Sequence, residues 1–83
     1  MPYNIVWTEN SKKDLKKLEK TLSQRIFEKI IFCNEKDLLF LEKLKNQMIY
    51  KFRVGDYRIF FEKGPHNSLF VLTIRHRKNA YKK

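Results

Sequence analysis

Lys51, Arg53 and Arg58 fall within the stretch 50–61, YKFRVGDYRIFF. Groups of this kind hold phosphate: arginine offers a planar fork that binds it bidentately, and lysine a compact point charge. Acting together requires a β-hairpin. Gly55-Asp56 lies between two alternating runs rich in aromatic and β-branched residues, and glycine at the first central position suits a type II′ turn. The resulting register sets Val54 opposite Tyr57, Arg53 opposite Arg58, Phe52 opposite Ile59 and Lys51 opposite Phe60. Side chains alternate across a strand. Tyr50, Phe52, Val54, Tyr57, Ile59 and Phe61 therefore read as core, and Lys51, Arg53 and Arg58 share the other face. Like charges directly opposite are destabilising, where a favourable cross-strand pair contributes about 0.2–1 kcal/mol. A bound phosphate or acidic partner would relieve that repulsion.

Composition points the same way. Nineteen Lys and Arg against nine Asp and Glu give a formal charge of +10 on 83 residues, the footprint of a polyanion binder, with nucleic acid the first candidate and an acidic protein the second. A solubilising surface accounts for the lysines of a helix but not for arginines clustered on a strand. The length and 42% hydrophobic content imply one domain, 1–83, burying about 60–65% of its unfolded surface. Cys33, the single cysteine, falls in an apolar helical pattern and reads as a buried thiol in a reducing cytosol. No run of 18 apolar residues and no signal-peptide core is present, so a cytoplasmic protein is expected, without membrane association.

Stepping along the chain, residues 3–7 alternate as a first strand. A helix then runs from about Thr8 or Ser11 to Lys20, with Leu15, Leu18 and Leu22 as its apolar stripe and either Thr8 or the Ser11-x-x-Asp14 box as its cap. Ser23 is expected to cap a second helix, stapled by Leu22 and Phe27, with Ile26, Phe27, Ile30, Ile31 and Cys33 buried. Residues 35–47 read as helix or loop. Three strands follow, about 48–54, 57–63 and 69–75, then a cationic tail. The order β-α-α-β-β-β implies an α+β fold: an antiparallel sheet with a helical hairpin packed on one face. The cations occupy the face left free.

No glycine-rich phosphate loop, no metal-ligand spacing and no serine nucleophile motif is present, so no cofactor and no metal are expected. Asp56 and Glu62 read as turn and strand-end residues. What remains is the cationic face beside a tail carrying Arg75, His76, Arg77, Lys78 and Tyr81. Such a set suits RNA, since tyrosine stacks on unpaired bases. It also allows cleavage without a cofactor, the ribose 2′-OH attacking the adjacent phosphate with a base, cations for the developing charge and an acid for the leaving 5′-oxygen. Crowded cations make Lys51 a candidate base. His76 and Arg75 are candidate catalytic or phosphate-binding groups, His76 reading equally well as structural. His66 reads as exposed in its turn, Tyr81 as either packing or site residue, and Trp7, Tyr50 and Phe52 as core.

The string 50–59 followed by His76-Arg77-Lys78-Asn79-Ala80-Tyr81 resembles the RelE/ParE superfamily of toxins from toxin-antitoxin pairs, as do Lys13-Asp14-Leu15-Lys16-Lys17-Leu18 and the Leu44-Lys45 step. The likeness spans the chain. For the RelE branch it implies a cytoplasmic endoribonuclease, an mRNA interferase that cuts mRNA on the ribosome, inhibits translation and is silenced by a RelB-like antitoxin in a hetero-oligomer. By that resemblance Lys51 and Arg53 activate around the scissile phosphate, Arg58 stabilises the transition state, Arg77 is an acid or phosphate contact, and Tyr81 orients the substrate. Arg53 stands where a lysine is also found, and Asn46 where glycine is common, a residue that tolerates the left-handed region. The two residues after Tyr81 leave no room for a C-terminal helix. Two other functions fit the residues: a ParE-like inhibitor of DNA gyrase with the same fold, and a non-catalytic module that binds nucleic acid or antitoxin.

Overall fold

A computed structural model describes residues 2–45 and 48–80. Strand β1 (Asn4–Trp7) leads into helices α1 (Glu9–Lys17) and α2 (Lys20–Glu35). The short strand β2 (Glu42–Lys43) precedes β3 (Ile49–Val54), β4 (Tyr57–Lys63) and β5 (Ser68–His76), and a single helical turn, α3 (Arg77–Ala80), follows. The fold is α+β, with one five-stranded sheet ordered β1-β5-β4-β3-β2. Its pairs are antiparallel except for β1, which joins parallel to β5 through Asn4↔Ser68 to Trp7↔Val71, so the sheet is mixed. A parallel partner needs a crossover rather than a hairpin, and the polypeptide between β1 and β5 supplies it.

The core lies between the sheet and α2. Ile26 and Ile30 meet Val54, Ile59, Phe61, Leu69, Val71 and Ile74, with Trp7, Leu15, Leu18, Leu22, Tyr50, Phe52 and Tyr57 packed at the margins. Cys33 is buried. Phe27 is not: it is 43% exposed and stacks on Trp7 at 5.3 Å between ring centroids. Ser23 does not cap α2 either. The helix starts one turn earlier, after Glu19, and the Ser23 hydroxyl donates back to the Lys20 carbonyl (3.0 Å). Leu22 packs against the core, which draws the helix through the expected linker and moves the break to the extended Leu18.

Helix α1 is capped by Thr8, whose hydroxyl accepts the Ser11 amide. The same end of α1 finishes the edge of β5 where β1 stops at Val71. Thr8 donates to the Val71 carbonyl (2.5 Å), Asn10 Nδ2 to the Leu72 carbonyl (2.9 Å), and Asp14 Oδ2 accepts from the Thr73 hydroxyl (2.7 Å) and the Ile74 amide (3.0 Å). Backbone groups that a truncated strand would leave bare are thus satisfied by side chains. Buried Asn34 acts similarly: Oδ1 accepts the Tyr3 amide and Nδ2 donates to the Tyr3 carbonyl, both at 2.9 Å. The end of α2 is a Schellman motif, Leu38 N–H to the Cys33 carbonyl and Asp37 N–H to that of Asn34, with Asp37 left-handed at φ 58°. Asn46 lies outside the described residues.

Candidate polyanion-binding face

The β3–β4 hairpin has the register its turn dictates. Val54 pairs with Tyr57, Arg53 with Arg58, Phe52 with Ile59 and Lys51 with Phe60. Of the two loop residues only Gly55 has positive φ, 58°, as a type II′ turn requires. Lys51, Arg53 and Arg58 consequently stand on the face away from α2.

Strand β5 adds a third arginine through a bulge. Phe60 opposes Thr73 but Phe61 opposes Val71, so Leu72 is an extra residue. Strict alternation from Leu69 and Val71 would send Ile74 outward and Arg75 into the core. The bulge reverses this parity: Ile74 is buried, and Arg75 lies directly across from Arg58 on the open face. Arg53, Arg58 and Arg75 therefore form one row across three strands, with Lys51 and Phe60 in the next. Arg58, on the central strand, is only 7% exposed, whereas Arg53 and Arg75 are exposed. A guanidinium fixed by its surroundings loses little further freedom on meeting a phosphate.

Lys51 has a carboxylate beside it. Glu42 of β2 is its cross-strand partner and forms an ion pair with it at 3.6 Å. Glu42 went unnoticed in the sequence because a two-residue strand has no periodicity to detect; a Glu placed to oppose a Lys was the available signal.

The tail candidates separate. His76 pairs with Tyr57 on the helix-covered side, its ring edge-on to Tyr57 at 5.1 Å, and so faces away from the arginine row. Arg77 opens α3, exposed, its amide donating to the Asp56 carbonyl at 2.7 Å. Tyr81 lies outside the described residues. His66 is exposed in a turn where it and Asn67 both have positive φ. Among the described residues no three His, Cys, Asp or Glu come together to hold a metal ion, and no helix is long and apolar enough to cross a membrane.

A groove of about 860 Å³ runs beside the hairpin tip, its lining including Arg25, Glu28, Lys29 and Phe32 of α2 and Arg53 and Gly55 of the hairpin. Arg53 thus borders both the groove and the row.

Residues 5–81 match the model of the ParE toxin family, described as the ParE toxin of the type II toxin-antitoxin system parDE. The chain belongs to this family, within the RelE/ParE superfamily. It is similar in structure to the RelBE2 toxin-antitoxin complex of Mycobacterium tuberculosis, with a TM-score of 0.79 at 22% identity over 93% of this chain and 100% of that one. The RelB-RelE complex of Methanococcus jannaschii gives 0.71 at 28% identity over 92% and 94%. The YoeB/ParE toxin of Agrobacterium tumefaciens gives 0.62 at 19% over 88% and 97%. Comparison with curated proteins gave no significant match.

Proposed function

We propose that this toxin is a RelE-like endoribonuclease that cleaves mRNA on the ribosome. The observation that carries this reading is the Arg53–Arg58–Arg75 row with Lys51 beside it. Three like charges side by side weaken a sheet and are understandable where a phosphodiester lies across them. In the reaction the ribose 2′-oxygen attacks phosphorus as its proton leaves to a base. The bond from phosphorus to the 5′-oxygen breaks as that oxygen gains a proton, giving a 2′,3′-cyclic phosphate and a 5′-hydroxyl. Arg58 neutralises the charge that builds on the phosphoryl oxygens, Arg53 and Arg75 hold the flanking backbone, and Lys51 stands at the base position. Arg77 and Tyr81 are assigned substrate contacts by the family resemblance alone.

The partner is an antitoxin segment, acidic and partly apolar, that enters the groove between α2 and the hairpin and engages Arg53, withdrawing a cation from the row. Charge reversal at Arg53 weakens that complex together with RNA binding. The RelB-RelE complexes among the structural relatives support an antitoxin partner.

The test is induction of the wild type beside Arg58→Ala, with primer extension across a translated message. In-frame cuts should appear with the wild type and fall by about 10²–10³-fold in the variant, the usual cost of removing one charge-stabilising donor. The ParE name of the matching family favours a second reading, gyrase inhibition. Growth arrest with intact mRNA and lost supercoiling activity would establish it instead.

A further inference from the structure

We propose that His76 is a positioning residue: its imidazole caps α3 and so fixes Arg77 and the start of the tail against the hairpin tip. This rests on the open face being the ribonuclease site, where a histidine beside two arginines would otherwise be taken for the acid.

Three observations carry it. His76 immediately precedes Arg77, the first residue of α3, and its Nδ1 accepts the amide of Lys78, the second, at 3.2 Å. That amide is one of the donors an N-cap side chain satisfies. The ring is held by its edge-on contact with Tyr57. The Arg77 amide, in turn, is tied to the Asp56 carbonyl at 2.7 Å. A four-residue helix cannot sustain itself, because its first turn fixes several dihedrals for a single hydrogen bond; these tethers make α3 possible.

The same geometry takes His76 out of the chemistry. Nδ1 is committed to the Lys78 amide. The ring lines a pocket of about 480 Å³ with Leu22, Arg25, Asp56 and Tyr57, on the side of the sheet away from Arg58. The charged and titratable groups around it are Arg25 from α2, Asp56 from the turn, Tyr57 from β4, and Arg77 and Lys78 from α3.

The test compares the wild type with His76→Asn, which keeps an acceptor, and His76→Phe, which keeps a ring on Tyr57 but has no acceptor. Exchange of the Lys78 amide, corrected for its intrinsic rate, is read by NMR beside RNA cleavage. In His76→Phe the amide should exchange about fivefold faster, the equivalent of a lost cap, and cleavage should fall. His76→Asn should match the wild type in both. Equal Lys78 exchange in all three proteins would overturn the cap. Normal exchange in His76→Asn with cleavage abolished would overturn it too, since the imidazole itself would then be required. If the wild type does not cleave RNA at all, the ribonuclease reading fails, while the exchange data still decide whether His76 caps α3.

Discussion

The two faces of β3 and β4 are made by the same two strands and obey opposite rules. Toward α2, Ile59 and Phe61 are fully buried among aliphatic neighbours, and each contact favours the fold. Away from α2, the same strands set Arg53 against Arg58 and Arg58 against Arg75, an arrangement that opposes it. The first face tolerates a repulsive second one because burial outweighs it: a large apolar side chain contributes about 1.5–3 kcal/mol, a cross-strand pair a fraction of that.

Three changes sharpen the contrast. Phe61→Ala should have the largest effect, lowering unfolding free energy by about 3–5 kcal/mol, read as a fall in the urea midpoint; a loss below 1 kcal/mol would mean the helix-covered face is not the stabilising one. Arg53→Thr should act with the opposite sign. It removes one like-charge pair and adds a β-branched residue, so stability should rise by about 0.2–1 kcal/mol while RNA binding and antitoxin affinity fall. A destabilised Arg53→Thr protein would show that the arginine row is cohesive in its own right. Glu42→Gln should have the smallest effect on stability, under about 1 kcal/mol for a pair this exposed. It should nonetheless tighten binding of a non-cleavable RNA by freeing Lys51, and that gain should vanish in a Lys51→Met background.

What could be read in advance divides along physical lines. The hairpin register was legible because a two-residue loop with glycine first admits few geometries, and the inward set followed from alternation. The fold class followed from element order. The bulge at Leu72 was not legible: nothing local in Ser68–His76 announces an extra residue, yet it decides that Arg75 joins the row and His76 leaves it. Phe27 and Ser23 were misassigned because the break between α1 and α2 is set by packing of Leu22 rather than by a cap. The clasp of Asn34 on Tyr3 and the service of Thr8, Asn10 and Asp14 to β5 join residues remote in sequence, where pattern carries no information.

The parallel pairing of Asn4–Trp7 with Ser68–His76 has a bearing on synthesis. Strand β1 has no partner until β5 emerges, and contacts of such long range slow folding. A nascent chain that stalls before Ser68 has the hairpin's Lys51, Arg53 and Arg58 but lacks β5, the second strand to flank Arg58, and with it Arg75. The row across three strands is then completed only once β5 has been made.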